Sequence, residues 1–332
     1  MRVSYEKMFA QFERVLLKNG FTQPRAELCA QLFADASRDG VYTHGLNRFP
    51  RFIEYIQKGY IQIHAIPEKL EVCGALERWD GKMGPGNLNA HFAMARTIEL
   101  ARANGIGCVA LQHTNHWMRA GSYGLQAAEA GCIGMCWTNT IPNLPPWGGA
   151  APKLGNNPLV LAVPRPEGPV VLDMAMSMFS YGKLEAYALR HQQLPVDGGY
   201  DNAGHLTRDP QEVMETRRSL PVGFWKGSGL SLLLDLVAVM LSGGNSTLQV
   251  GKGPAEIGLS QIFIAFDLSR LSGVETILNS VNATLEDLHR TMPVEPDGKI
   301  YYPGERMLLT RKENLEQGIP VEESYWQQVL EM

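Results

Sequence analysis

The chain has 332 residues, 45% of them hydrophobic, and its formal net charge at pH 7 is −4. This length allows two domains, or one large domain with a smaller one, and the composition allows a large core. Lysine and arginine are dispersed along the sequence, so it offers no basic field for nucleic acid or for an anionic membrane surface. We therefore expect no nucleic acid and no membrane among the partners of the chain.

Three features of the sequence bear on compartment and metal binding. Residues 1–20 carry acidic side chains and a helical spacing of apolar residues, which is typical of a folded helix and not of a signal peptide. The longest apolar run, residues 230–241, is about 12 residues long and contains Asp235, so it is too short to span a bilayer. The five cysteines match no zinc or redox spacing, and Cys132 and Cys136 share one face of a predicted strand as small core residues. We expect a soluble, cytoplasmic protein without a metal site.

The first 60 residues are predicted to form three helices. These helices cover residues 1–20, 22–40 and 43–59, and Pro50 bends or splits the third.

From residue 67 onward, the pattern of apolar runs and glycines predicts alternating strands and helices. The predicted strands are two short ones joined by Gly74 within residues 69–81, followed by 106–112, 132–138, 159–164, 170–173 and 261–267. The predicted helices are 87–104, 121–130, 176–191, 228–242, 271–290 and two short ones near the carboxyl end, the last at 321–330. A tight turn is predicted at residues 295–298. This order predicts a sheet domain of residues 76–270 and a discontinuous helical domain formed by residues 1–75 and 271–332.

The stretch 220–241 is the centre of the predicted architecture. Ser228 is expected to cap a helix that is nearly all apolar and therefore buried. Its amino end would combine free N–H groups, the positive end of the helix dipole and the ammonium group of Lys226, which together attract phosphate. A buried helix with a solvated lysine at its start is the alternative interpretation.

A glycine fingerprint for dinucleotides is missing from the sequence. Residues 105–110 fit its letters, but a predicted helix precedes them and a predicted strand follows, which is the reverse of the order that the phosphate-binding turn needs. Any nucleotide must therefore bind without the glycine-rich phosphate-binding turn of the Rossmann fold.

Two histidines and an arginine are candidates for chemistry on a keto acid. His44 and Arg48 are four residues apart, which would place them one turn apart on one helix face. An imidazole can protonate the nascent alkoxide while a guanidinium orients the carboxylate, as reduction of a 2-keto acid requires. A capping histidine and a surface arginine are the alternative. His116 follows a predicted buried strand and is either a second proton-transfer group or a structural histidine.

The strand that ends at Asp173 offers a carboxylate for ribose hydroxyls, and the methionines after it offer an apolar bed for a flat ring. Methionines in such a stripe can equally belong to the core.

Seven segments carry a resemblance to a known family, in this order: THGLNR, NHWMRAGSYG, LGNNPLVLAVP, VLDMAMSMFSYGK, LPVGFWKGSGLS, GLSQIFIAFD and YPGER. They resemble the type-2 malate/L-lactate dehydrogenase family over essentially the whole chain. The resemblance implies an α+β, non-Rossmann fold with a mixed, largely antiparallel sheet covered by helices. It also implies a homodimer with a nicotinamide cofactor, NAD, in an extended pose near the subunit boundary.

The resemblance also implies roles for individual residues. His44 would be the proton donor, and Arg48 and His116 would line the substrate pocket. Relatives usually have serine where this chain has Thr43, which keeps the hydroxyl group. The residues expected to contact the cofactor are Pro169, Val170, Val171, Leu172, Asp173, Met174, Ala175, Trp225, Lys226, Gly304, Glu305 and Arg306. Asp173 would repel the extra phosphate of NADPH, whereas Arg306 could accept it.

These observations predict hydride transfer between NADH and the C2 carbonyl of a small, sugar-derived 2-keto acid. Malate, lactate, sulfolactate and ureidoglycolate stay open as alternative substrates. A nucleotide-binding protein without turnover is the alternative of another class.

Overall fold

The computed structural model describes residues 1–295 and 297–332, so the predicted turn at 295–298 lies partly outside the described residues. Its helices and strands are, in chain order, β1 (Arg2–Val3), α1 (Tyr5–Lys18), α2 (Gln23–Arg38), α3 (Phe49–Gln57), β2 (Glu68–Cys73), β3 (Leu76–Asp80), α4 (Gly86–Asn104), β4 (Ile106–Asn115), α5 (Gly121–Glu129), β5 (Cys132–Thr138), β6 (Leu159–Val163), β7 (Val170–Met174), α6 (Tyr181–Leu189), β8 (Gly199–Tyr200), β9 (Leu206–Thr207), α7 (Pro210–Thr216), α8 (Trp225–Ser242), α9 (Thr247–Val250), β10 (Ile257–Asp267), α10 (Val274–His289), α11 (Glu305–Gln317), β11 (Ile319–Pro320) and α12 (Glu323–Glu331).

A seven-stranded sheet forms the middle of the molecule, with the strand order β2-β3-β4-β10-β5-β6-β7. Only β3 and β4 pair in parallel, and the other neighbours are antiparallel. The sheet buries apolar side chains on both faces, with α4 and α5 over one face and α8 over the other. The predicted mixed, largely antiparallel sheet covered by helices is confirmed.

Helices from both ends of the chain share one core. Phe12 of α1 and Phe33 of α2 pack with Phe49 of α3, and Trp326 of α12 completes the cluster. The terminal strands β1 and β11 also pair with each other. The division into domains of residues 1–75 with 271–332 and of residues 76–270 stays a prediction. Strand β2, although it falls in the first of these ranges, pairs with β3 in the sheet.

The predicted helix at 43–59 is wrong in its first part. Two 3-10 turns, Tyr42–His44 and Leu46–Arg48, precede α3. Gly45 separates them because it lies against α2, where an added Cβ would be 2.1 Å from the hydroxyl oxygen of Ser37. Pro50 therefore neither bends nor splits a helix but sits in the first turn of α3, where its missing N–H group costs nothing.

The predicted helix at 176–191 begins later, at Tyr181, and ends at Leu189. Residues 176–180 stay outside the helix because the backbone N–H groups of Met176 and Met178 donate to the carbonyl oxygens of Asn156 and Leu220. The hydroxyl group of Ser180 then caps α6.

Helix α8 differs from the prediction at its start and in its burial. It begins at Trp225, after Phe224 in the left-handed region at φ 58°, and Ser228 lies inside it, accepting a hydrogen bond from the backbone of Trp147. The helix is apolar around its whole circumference, yet only one face packs on the sheet, so Leu233 and Met240 are 59% and 78% exposed.

By length and composition α8 could cross a membrane, with a mean hydropathy of 1.3 over 18 residues. Its sheet-facing side nevertheless carries Asp235, whose carboxylate accepts from the side chain of Asn139 at 2.8 Å and the backbone of Thr247 at 2.9 Å. This buried polar contact fits a helix packed against protein.

Candidate active site

A cavity of about 1420 Å³ lies beside β7, the segment after β4, and the loop before β10. Pockets for one drug-sized ligand hold roughly 300–1,000 Å³, so this cavity can take two small molecules side by side. The residues predicted for the site that line it are His44, Arg48, His116, Val171, Asp173, Ala175 and Gly304.

The other predicted residues do not line this cavity: Pro169, Val170, Leu172, Met174, Trp225, Lys226, Glu305 and Arg306. Strand alternation explains the middle of this set, since residues 170, 172 and 174 point to the opposite face of β7 from residues 171, 173 and 175.

The remaining residues have partners or positions outside the cavity. Glu305 accepts from the backbone of Tyr302 and bonds to His289, while the guanidinium of Arg306 lies 4.6 Å from the ring centre of Tyr301. Trp225, 65% exposed, and Lys226 begin α8 at the surface.

Two histidines line the cavity side by side. The rings of His44 and His116 are nearly parallel, at 7°, with centres 5.7 Å apart. Burial, together with the positive charges of Arg48 and Arg119, lowers the pKa of His44 from 6.5 to about 4. Burial and the charge of Arg48 also lower the pKa of His116 well below its usual value. Both imidazoles are therefore neutral at pH 7.

Hydrogen bonds define which nitrogen of each ring is available. Nδ1 of His116 accepts from the backbone N–H of Met118 at 3.0 Å, so the neutral ring carries its proton on Nε2 and can donate it to a ligand. Nδ1 of His44 lies 3.3 Å from the hydroxyl oxygen of Thr43. The hydroxyl that this chain keeps before the histidine thus contacts the ring.

Arg48 lines the same cavity as His44, but the backbone that positions it differs from the prediction. The break at Gly45 means that His44 and Arg48 do not share one α-helical face, but both line the cavity from consecutive 3-10 turns. The Nη2 atom of Arg48 lies 3.6 Å from Oε2 of Glu256. Burial lowers the pKa of Arg48 somewhat, and the guanidinium stays charged.

Arg119 is a cavity residue that the sequence analysis missed. Its Nη1 donates to Oδ2 of buried Asp39 at 2.5 Å, and its Nε has no partner among the described residues. Asp39 also accepts from Arg38 and Arg311. Burial alone would raise the pKa of Asp39, but the three guanidinium groups outweigh it and hold the pKa below its usual value. The signal was available, because Arg119 stands three residues after His116 in the same motif.

A polar wall beside Arg48 was also missed. Its members, which all line the cavity, are Arg51, Thr140, Asn143, Asn156, Tyr181, Glu185 and Glu256. Oδ1 of Asn156 accepts from Thr140 at 3.1 Å and from Asn143 at 3.0 Å, whereas Oδ1 of Asn143 is buried without a partner in the described ranges. The asparagines come from the proline-rich loop before β6, and no local pattern in it points to a ligand.

The residues around Asp173 fit a flat, phosphate-bearing group. Oδ2 of Asp173 accepts from the N–H of Gly121, the first residue of α5, at 2.7 Å. Burial raises the pKa of Asp173, while the charge of Arg119 and the Gly121 N–H oppose this rise. Gly304, at φ 92°, approaches Val171 so closely that a Cβ would lie 3.0 Å from its backbone nitrogen. The amino ends of α5 and α11 and the guanidinium of Arg119 supply positive potential here.

Comparison with known proteins gives consistent matches over the whole chain. A family model described as malate/L-lactate dehydrogenase matches residues 3–330. The 2,3-diketo-L-gulonate reductase of Pasteurella multocida is 47% identical over 330 residues, covering 99% of each chain.

Solved structures of lower identity share the fold. Malate dehydrogenase from Entamoeba histolytica is 27% identical with a TM-score of 0.94, over 100% of this chain and 96% of its own. Sulfolactate dehydrogenase from Methanocaldococcus jannaschii is 28% identical with a TM-score of 0.91, over 100% and 96%.

Proposed function

The chain belongs to the malate/L-lactate dehydrogenase family and is an oxidoreductase, and from this premise we propose that it transfers hydride between NAD(H) and C2 of a sugar-derived 2-keto acid. The preferred substrate is 2,3-diketo-L-gulonate, reduced to 3-dehydro-L-gulonate, because full-length relatives at 44–47% identity carry that name. The observation that carries the proposal is the meeting of His44, His116 and Arg48 in one cavity.

Each of these side chains has a separate task in the proposed reaction. Arg48 binds the substrate carboxylate through its planar fork. The Nε2–H of His116 donates to the carbonyl oxygen, and His44 delivers the proton that this oxygen gains as the carbonyl becomes an alcohol. When bound, the nicotinamide supplies the hydride to C2. The substrate carboxylate also cancels the charge of Arg48, so the pKa of His44 rises and the ring can hold the proton it must give.

The cofactor is proposed to be NAD rather than NADP. Asp173, held by the N–H of Gly121, offers a carboxylate for ribose hydroxyls. A 2′-phosphate at that position would meet like charge. Arg119 would hold the pyrophosphate, since the first N–H group of α5 is already bonded to Asp173, and Lys226 stays a further candidate, from the start of α8.

The proposed assembly is a homodimer in the cytoplasm. One side of α8 exposes apolar side chains, which supports an interface there. These residues are Leu230, Leu233, Leu236, Val237 and Met240. All five cysteines are free thiols, which fits a reducing compartment. No role in binding nucleic acid or a membrane is proposed.

The first test is a panel of 2-keto acids with NADH, followed by cofactor absorbance. We expect oxidation of NADH with 2,3-diketo-L-gulonate and weaker oxidation with pyruvate, oxaloacetate and sulfopyruvate. Binding of NADH without oxidation by any acid would instead favour a nucleotide-binding protein without turnover.

The second test replaces the proposed proton donor. His44→Ala should lower kcat by about 10²- to 10⁴-fold, since that is the usual contribution of a positioned acid. NADH affinity, measured by fluorescence titration, should stay close to the wild-type value. His205→Ala is the matched control, because this side chain is 80% exposed and lies outside the cavity. An equal loss of NADH affinity in His44→Ala would contradict the assignment.

A further inference from the structure

We propose that Glu256 makes the cavity selective for 2-keto acids that carry hydroxyl groups, and against those that carry a second acidic group. This inference rests on the proposed function and concerns the part of the substrate beyond its keto-acid end.

The position of Glu256 is fixed by two contacts. Oε1 accepts from the backbone N–H of Ile141 at 3.3 Å, and Oε2 lies 3.6 Å from Nη2 of Arg48. The side chain is 12% exposed, and it lines the cavity. A substrate whose carboxylate binds Arg48 therefore extends past a second, fixed carboxylate.

The charges around Arg48 are already balanced before a substrate enters. Arg51 is the second cation near it, and Glu256 and Glu185 are the nearby carboxylates. One substrate carboxylate leaves this wall with a single excess negative charge. A second carboxylate or a sulfonate would add another in a buried setting, where like charges repel strongly. Arg217 also lines the cavity, near Tyr181, and it is not among the groups whose charges act most on Arg48, so the balance is stated for the Arg48 end of the wall.

The polar groups of the same wall are rich in hydrogen-bond acceptors. Oδ1 of Asn143 is buried without a partner among the residues described, and Oε2 of Glu256 has only the long contact to Arg48. Hydroxyl groups can donate to both acceptors, whereas a carboxylate, a sulfonate or a methyl group cannot. Sites that bind a substrate hydroxyl in this way reject analogues without it, because the acceptor is then left unpaired.

The test compares three acids with the wild-type enzyme and with Glu256→Gln. The acids are 2,3-diketo-L-gulonate, with hydroxyl groups, oxaloacetate, with a second carboxylate, and pyruvate, with neither. In Glu256→Gln we expect kcat/KM for oxaloacetate relative to pyruvate to rise by about tenfold, because the repulsion is gone. The value for 2,3-diketo-L-gulonate relative to pyruvate should fall by about tenfold, because a charged acceptor is lost.

Two further variants make the result specific. Glu286→Gln removes the same charge from an exposed residue outside the cavity, which pairs with Arg290, and its ratios should match the wild type. Glu256→Asp keeps the charge but shortens the side chain, so it should still discriminate against oxaloacetate and lose part of the preference for hydroxyl groups. Glu256→Asp also serves if Glu256→Gln does not fold.

The outcomes separate this inference from the proposed function. If the wild-type enzyme oxidises NADH with none of the acids, the proposed function fails. If it is active but the Glu256 variants change all three acids by the same factor, the selectivity inference is overturned while the function stands. Efficient wild-type turnover of oxaloacetate, at or above that of 2,3-diketo-L-gulonate, would also overturn it.

Discussion

The imidazoles of His44 and His116 lie nearly parallel in a cavity that is also lined by arginines, among them Arg48 and Arg119. Burial and these charges keep both rings neutral in the absence of a substrate. In the proposed reaction, His44 must therefore gain its proton together with the substrate. The substrate carboxylate that is proposed to bind Arg48 would favour this gain by cancelling the guanidinium charge.

This coupling predicts different pH profiles for the two directions of the reaction. With a pKa of about 4 for His44 in the free enzyme, kcat/KM for reduction should fall about tenfold per unit between about pH 5 and pH 8. In the oxidation direction the His44 ring must be neutral, so the titration of this residue should change kcat/KM for oxidation little. The kcat profile for reduction should show a higher apparent pKa than kcat/KM, because substrate is bound. Steady-state kinetics across this range tests both statements, and a level reduction profile would contradict them.

The motif-bearing residues of the cavity were predictable from sequence, and their partners were not. His44, Arg48 and His116 stand in short motifs of suitable chemical types. No local sequence pattern around Glu256 marks it as a site residue, and its proposed role depends on its contact with Arg48. Arg119 likewise depends on Asp39, 80 residues earlier. Contacts of this range depend on the folded sheet, and local patterns do not report them.

At the level of secondary structure, helix α2 is linked to the cavity through the residue that follows it. Asp39 follows α2 and binds Arg119 beside the cavity and Arg311 of α11. The carboxylate has no exposed surface, so its charge is matched only by the guanidinium groups around it. It therefore fixes three segments of the chain relative to each other.

Removal of this carboxylate should destabilise the protein. Asp39→Asn leaves buried Arg119 and the partly buried Arg38 and Arg311 without their shared anion. Breaking a buried ion pair typically costs about 3–5 kcal/mol in the free energy of unfolding. Urea unfolding followed by circular dichroism measures the change. Asp197→Asn, at a side chain that is 42% exposed, is the control and should change stability by less than about 0.5 kcal/mol. Wild-type stability in Asp39→Asn would show that the cluster is not a structural link.

Element prediction succeeded where one local pattern decides the backbone and failed where packing decides it. Between residues 67 and 138, glycines mark the boundaries of the predicted strands and helices, and the structure has the predicted strands and helices there. The helix predicted from residue 43 became two 3-10 turns because Gly45 is pressed against Ser37 of α2. For α8 the existence of the helix was predictable, whereas its exposed side was not, because an apolar circumference does not show which face packs on the sheet.

At the scale of the whole molecule, the exposed side of α8 leads to a prediction about assembly. Leu233 and Met240 are seven residues apart and lie on one side of the helix. The double variant Leu233→Glu/Met240→Glu should convert the proposed dimer to monomer at micromolar concentration, because a stable interface does not accept unpaired charges at its centre. Sedimentation velocity gives the mass directly, and Leu17→Glu on α1, at a side chain 39% exposed, is the control. A wild-type protein that sediments as a monomer, or a double variant that sediments like the wild type, would contradict the prediction. Co-sedimentation of the wild-type protein with lipid vesicles would instead indicate a membrane partner.

The order of the strands also has a consequence for biosynthesis. Strand β10 lies between β4 and β5, although it is translated more than a hundred residues after both. Until the ribosome has released it, β4 and β5 each present an open edge, and such edges are templates for aggregation. The nascent chain must therefore keep two half-sheets apart and soluble for much of its synthesis, so additional chaperones should raise the yield of folded enzyme.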